Sequence, residues 1–400
     1  MRWPRFISRR VVIIILLVLV IIGMWFYEAL YGTTGEALRR AENFLFTRIT
    51  VSRLADQESV RYFFVSNRSQ LDEEDLEFEE QFTNERKAGL TFGRFDATIE
   101  PSIGLGMFIN PSEWFQTEEI LVNDPTRLSQ DDFIGELGTL IDKSPRRSLI
   151  LLVNGFRERF PSALRKTVFV GHILDINSPV MVFDWPGDQG SSLRGYRRAH
   201  QIATDSGQEL ADTIKLIINE IDPDNLWIIA NSMGGQVVAD AFSVLYQDPE
   251  LADSEIEIED VILTAPDVSS EEFNRRFKQE ITALARNLTV YVSSNDRALV
   301  MSRLVNLGDS RRGESTLSAD MVDETAAVVD LIDPDDELIT LVDVTPVNRT
   351  RNFHNFSLET PEFFDDLFLR LINPQTPHSR GLYHLKTPNG ASYWVLTPGR

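Results

Sequence analysis

The chain of 400 residues contains no cysteine. Disulfide scaffolds, thiolate metal sites, cysteine nucleophiles and cysteine-linked lipids are therefore excluded. Positive charge is also scarce. There are 39 Lys and Arg against 61 Asp and Glu, a formal net charge of −22. Nucleic acid is a poor partner for such a chain, because phosphate binding needs a cationic footprint. Histidine occurs five times, so few groups can act as a general base near neutral pH. There is no Gly-rich phosphate loop after a strand and no paired His at metal-ligand spacing, so no cofactor and no metal are expected. With 42% hydrophobic and 10% aromatic residues, the chain can still fill a large core.

Hydrophobicity is most concentrated near the start. Residues 11–27 are uninterrupted apolar or Gly positions, about 25 Å as a helix. Extension to residue 31 reaches about 31 Å, enough to span a bilayer core. Arg2, Arg5, Arg9 and Arg10 precede the run and no acid does, which keeps residues 1–10 cytoplasmic and sends the remainder across. A cleaved signal peptide is the competing reading. It usually has a shorter apolar region ending in small residues, whereas this one exits through Met24-Trp25-Phe26-Tyr27. The expectation is an uncleaved membrane anchor at 11–31 with an extracytoplasmic remainder; residues 11–400 carry 35 cations and 61 anions, near −26. Asn-x-Ser/Thr sequons stand at Asn67, Asn287, Asn348 and Asn355. A glycan on the last would block the site described below, so the expected compartment is one without N-glycosylation, such as a bacterial periplasm.

Beyond a polar connector at 32–58, eight strand-like runs alternate with helical or turn-rich segments: 61–65, 91–99, 148–153, 180–183, 226–230, 260–264, 288–292 and 338–344. The run SLILLV at 148–153 is apolar throughout, as befits a strand buried on both faces of a parallel sheet. Helices are predicted over 162–173, around Leu210, Ile214, Ile217, Ile218 and Ile221, after residue 233, and over 361–372. The pattern specifies a doubly wound, mostly parallel eight-stranded α/β sheet over residues 59–373. A tail at 374–400 follows, with a small hairpin around Pro388-Asn389-Gly390. The acidic stretch from Asp72 to Glu80 lacks Gly-punctuated calcium-ligand spacing and reads as a solvated loop.

Ser232 lies in LWIIANSMGG, directly between a buried strand and an amphipathic helix. A serine nucleophile displayed on a sharp strand-to-helix turn needs small residues two positions away on each side. Those positions are Ala230 and Gly234. The competing role for Ser232 is an ordinary helix cap. A serine also needs a base, and the base an orienting acid. His354 sits between the last core strand and the last helix, where a base belongs in such a sheet. His172 and His200 fall in helical segments before the serine, and His378 and His384 in the tail. Asp296 follows the seventh strand and is the favoured acid; Asp267, after the sixth, is the alternative. Backbone donors for an oxyanion are expected from Met233 and from Phe156, in the Asn154-Gly155-Phe156 loop. Asp184-Trp185-Pro186-Gly187 and the segment up to Tyr196 line a pocket or form a structural loop.

These motifs resemble the α/β-hydrolase superfamily. More narrowly, they are similar to a bacterial family of unknown function whose members carry V-H-G-F, S-W-P, H-S-M-G, A-A-P-D and S-S-N-D-R-A-L in that order. Here they read Val153-Asn-Gly-Phe156, Asp184-Trp-Pro186, Asn231-Ser-Met-Gly234, Ala265-Pro-Asp267 and Ser293-Ser-Asn-Asp-Arg-Ala-Leu299. Phe63-Phe-Val-Ser-Asn-Arg68 resembles the family's opening strand. The resemblance covers roughly residues 60–372 and implies Ser232, Asp296 and His354 as a triad, with Met233 and Phe156 as oxyanion donors. Asn replaces His at 154 and 231, which bears on the polarity of a pocket that also includes Trp185. The function so implied is hydrolysis of a small-molecule carboxylic ester, lipid or acyl esters included, with thioesters and amides in the same chemistry. The alternative is a non-catalytic binding or envelope scaffold protein on the same fold, since a fold alone does not carry activity.

Overall fold

The computed structural model describes residues 59–71, 75–99, 120–174, 176–252, 258–268, 272–293, 339–348, 356–372, 376–386 and 392–398. The expected anchor and connector lie outside these residues. Among the described residues no helix is long and apolar enough to cross a membrane.

The elements run β1 (Val60–Gln70), β2 (Phe82–Ile99), β3 (Ile120–Leu128), α1 (Gln130–Lys143), β4 (Ser148–Val153), α2 (Phe160–Leu174) and β5 (Val180–Asp184). Next come α3 (Leu193–Asp205), α4 (Gly207–Glu220), β6 (Asn225–Asn231), α5 (Gly234–Tyr246), α6 (Pro249–Ala252) and β7 (Ile258–Thr264). The chain closes with α7 (Lys278–Leu284), β8 (Leu288–Val292), β9 (Ile339–Asp343), α8 (Phe356–Glu359), α9 (Pro361–Ile372), β10 (Tyr383–Lys386) and β11 (Ser392–Val395).

The strands form one sheet in the order β10-β11-β9-β8-β7-β6-β4-β5-β1-β2-β3. From β9 to β1 every neighbouring pair is parallel. The mixed α/β character and the large, mostly parallel sheet agree with the sequence reading. The strand number does not: eleven strands stand among the described residues where eight were expected. Two differences account for this. β3 reads ILVNDPTRL, too polar and too Pro-broken to stand out, but it occupies the sheet edge, where proline is tolerated. The tail hairpin also joins the sheet, with β11 running parallel to β9.

Strand alternation sorts the core into two layers. Leu149, Leu151 and Val153 of β4 face one side with Leu226, Ile228 and Ala230 of β6; Ile150, Leu152, Trp227 and Ile229 face the other. The first side is covered by α1, α3, α4, α5 and α7, the second by α2 and α9. Residues such as Leu149 and Ile150 are fully buried, each worth about 1.5–3 kcal/mol of transfer free energy.

Buried polar groups fasten the C-terminal part to this core. Arg370 of α9 pairs with Asp260 of β7, whose other oxygen accepts from Thr289. The Tyr291 hydroxyl donates to Asp366 at 2.7 Å, and Arg380 joins the same carboxylate at 3.2 Å. Burial pushes the Asp260 carboxyl from an ordinary 3.8 up to about 6, against the pull of the Arg370 and Arg380 guanidiniums. A carboxyl whose folded pKa is raised holds its proton more tightly in the folded state, so its contribution to stability is lost as pH rises through about 4 to 6. Asp260→Asn cannot titrate. In urea unfolding, the stability of the wild type relative to Asp260→Asn is expected to fall by about 2 kcal/mol from pH 4 to pH 7. A difference independent of pH would show that this carboxyl ionises normally.

Candidate functional site

The strand order creates a crevice. From β4 the chain moves to β5 on one side, then returns with β6 to the other side of β4. At such a switch point the connections leave the carboxyl ends of neighbouring strands in opposite directions, and ligands bind between them. The segments that leave here are 154–159 after β4 and 232–233 after β6.

Ser232 occupies the turn from β6 into α5 with φ 55°, the left-handed region that non-Gly residues rarely adopt. Hydrogen bonds on both sides hold it there. Its N–H donates to Thr264 O at 2.9 Å, and its carbonyl accepts from Gly235 N at 2.9 Å and Asp267 N at 3.1 Å. Backbone strain of this kind survives only where the surroundings over-determine it. Among the described residues no group hydrogen-bonds the Ser232 hydroxyl, and the residue is 7% exposed. Met233 follows with helical φ and ψ at the head of α5, and the first turn of that helix carries no acid. The positive end of the helix is therefore not offset locally.

Two glycines let backbones approach at this point. A Cβ on Gly234 would lie 2.5 Å from Val153 O and 2.6 Å from Asn154 O. A Cβ on Gly155 would lie 2.9 Å from both Asn231 O and the Ser232 Cβ. The loop after β4 thus runs directly against the serine turn, with Phe156 next in sequence. Its position is fixed from the far side by the loop after β5. The Trp185 indole N–H donates to Asn154 O at 2.7 Å, and Arg157 N donates to Gly187 O at 2.9 Å. Phe156 packs edge-on against Tyr196 of α3, with 5.6 Å between ring centroids.

The structure gives several expected pocket residues more specific surroundings. Trp185 is buried in the core cluster and braces the Asn154 loop from beneath. Asn231 is a cross-link: its amide donates to Thr264 Oγ1 and to Ser357 Oγ of α8, each at 3.1 Å. The Asn154 amide nitrogen is buried without an acceptor among the described residues. Asp267 receives the Tyr196 hydroxyl on Oδ2 at 2.8 Å. His172 and His200 lie in α2 and α3. Asp296 and His354 lie outside the described residues. Asn348 donates to Ser293 Oγ at 2.8 Å, and Ser357, three residues after His354, accepts from the Asn231 amide.

Tyr196 stands in the sequence only as the end of a segment that lines a pocket or forms a structural loop, and Ser357 is not distinguishable there as a site residue. Tyr196 follows a Gly- and Ser-rich stretch that reads as loop, yet Ser192 caps a helix there by accepting from Gly195 N. Nothing in the sequence marks Ser357. Among the described residues no group of three or more His, Asp or Glu side chains is arranged to hold a metal ion.

The tight approach at Gly234 reverses the usual sign of a substitution. Gly→Ala in a helix ordinarily gains up to about 1 kcal/mol. Here the added methyl meets two backbone oxygens, so Gly234→Ala is expected to cost about 1–3 kcal/mol in urea unfolding. A neutral or stabilising result would mean that the β4 exit and the head of α5 are not in contact.

The comparisons with known proteins bear on the same region. No curated protein matches the chain. A family model described as "alpha/beta hydrolase of unknown function (DUF900)" matches residues 129–368, from just before α1 into α9. That span holds the switch point, the serine turn and both bracing loops, and it is well over half of the sequence. The chain therefore belongs to the alpha/beta hydrolases of unknown function (DUF900).

Proposed function

We propose that this protein is a serine hydrolase that cleaves carboxylic esters through an acyl-enzyme on Ser232. One observation carries the reading: a serine in the left-handed region, at the head of α5, beside the exit of β4. A structural cap gains nothing from a strained backbone, whereas a nucleophile gains display above the sheet and a nearby helix terminus. Apart from Asp267, the described residues around Ser232 offer backbone and uncharged side chains, which suits a neutral carbonyl that becomes negative only in the transition state.

In this reading Ser232 Oγ attacks the ester carbonyl carbon while His354 takes the hydroxyl proton. The carbonyl oxygen becomes an oxyanion facing the N–H groups of Met233 and Phe156. Asp296 orients the imidazole and stabilises its charge. Collapse breaks the bond to the alcohol, which leaves with the proton from His354. Water then attacks the acyl group, giving its proton to His354, and the carboxylic acid departs as Ser232 recovers its own. Residues 11–31 would tether the domain to a membrane, with the site on the extracytoplasmic side and acyl or lipid esters at hand.

A fluorophosphonate probe tests the nucleophile. The wild-type chain should be labelled, and Ser232→Ala should not. Equal labelling of both, or none of the wild type, would overturn the reading. With a short p-nitrophenyl ester, His354→Ala is expected to lower kcat about 10⁴–10⁶-fold. Comparing Asp296→Ala with Asp267→Ala assigns the acid, and the larger loss is expected at Asp296.

A further inference from the structure

Arg68 is the last buried residue of β1 and lies outside the span matched by the family model. Its side chain is fully buried, and its guanidinium is surrounded by acceptors. Nε and Nη2 grip both oxygens of Asp184 at 2.7 and 3.1 Å. Nη1 donates to Asn84 Oδ1 at 2.9 Å and Thr83 O at 3.2 Å. Nη2 also donates to Trp185 O at 2.7 Å and to Glu158 O at 2.9 Å. The Ser66 hydroxyl donates to Asp184 Oδ2 at 2.8 Å, so the carboxylate is held from two sides.

Two of these acceptors matter most. Glu158 O belongs to the loop after β4, and Trp185 O to the loop after β5. The same two loops meet again where Trp185 Nε1 reaches Asn154 O and Arg157 N reaches Gly187 O. The segment from Asn154 to Glu158 is thus pinned at its start, near its middle and at its end. Phe156 lies between the pins. Arg68 supplies the last pin and fixes the backbone of the residue that supplies the first.

We propose that Arg68 is a positioning residue for the oxyanion-binding loop, acting through Trp185 and Glu158 rather than by touching substrate. The inference rests on the hydrolase reading above. A buried ion pair contributes little net stability once both charges are desolvated, so stability alone is a weak reason for a fully buried guanidinium here. A planar fork with five donors holds two carbonyls and a carboxylate in one fixed relation. Lysine, with three donors on a flexible stem, cannot reproduce it. Oxyanion donors act only when already in place as charge develops, and the loss of one such donor typically costs about 10²–10³ in kcat.

The test uses the full chain and two ketone inhibitors of the same shape. A trifluoromethyl ketone forms a hemiketal oxyanion on Ser232; the corresponding methyl ketone binds without forming it to a comparable extent. Active-site concentration is set by fluorophosphonate titration, so unfolded molecules do not count. Arg68→Lys is expected to lower kcat for a p-nitrophenyl ester about 100-fold, with KM within about threefold. It should also weaken the trifluoromethyl ketone about 100-fold relative to the methyl ketone. A merely structural Arg68 would reduce the titratable fraction and leave kcat per site and the inhibitor ratio unchanged, which overturns the proposal. If Arg68→Lys does not fold, Trp185→Phe removes the indole donor to Asn154 O and is expected to shift the same ratio about tenfold; no shift overturns it equally. A wild-type chain that takes no fluorophosphonate instead overturns the hydrolase reading itself, a result distinct from an active wild type whose variants keep the ratio.

Discussion

The close passage of two backbones at the sheet's switch point governs the rest of the site. The exit of β4 and the turn from β6 into α5 touch through Gly155 and Gly234, with no room for a methyl group between them. Ser232 is forced into the left-handed region by that contact and by its bonds to Thr264, Gly235 and Asp267. The fully buried strands β4 and β5 and the buried centre of β6 make this possible, since a sheet packed on both faces gives the turns a fixed base. The strain is local, and the large core around it absorbs the cost.

Polar contacts inside the molecule have a division of labour with that core. Apolar packing of β4, β6 and β7 accounts for the centre. The antiparallel wing and the C-terminal tail are attached with the help of specific polar links. At the wing these are Arg68 with Asp184, Asn67 with Ser206 at 2.9 Å, and Arg86 with Glu209 at 2.6 Å. At the tail they are Arg380 with Asp366 and Arg370 with Asp260. Apolar surfaces slide easily against one another, whereas a satisfied polar link fixes one register. Both peripheral parts abut elements that carry site loops, so their register matters beyond their own stability.

How much of this the sequence revealed depended on the range of the signal. The runs SLILLV and LWIIA named their strands because burial on both faces demands unbroken apolar residues. Residues 361–372 named their helix through the spacing of Phe364, Leu367, Phe368 and Leu371 and a proline at the start. Ser232 stood out because its neighbours are small at the required positions. β3 did not stand out: an edge strand is only partly buried, and its Asn123-Asp124-Pro125 centre reads as a turn. α1 was missed as well, although Ser129 caps it and Phe133, Leu137 and Ile141 lie on one face. Arg68 was visible as part of a motif but not as a brace, because its partner Asp184 lies 116 positions away. No local pattern encodes a contact at that distance. The place of Asn231 as a link to Ser357 was hidden for the same reason.

A chain with net charge −22 is at first sight a poor host for the oxyanion of the proposed reaction. Screening resolves the conflict, since exposed charges more than about 8–10 Å away are largely masked at physiological salt. What counts is the immediate shell. The head of α5 carries no acid in its first turn. Of the nearby buried acids, Asp184 is matched by Arg68, and Glu158 faces Lys166 at 4.0 Å. Arg157 and Arg159 lie on the loop that passes the serine, and Arg194, Arg197 and Arg198 are exposed on α3, the helix of Tyr196. At the serine turn the positive end of helix α5 and the backbone amides are the nearest fixed dipoles, an arrangement that suits the oxyanion of the proposed reaction.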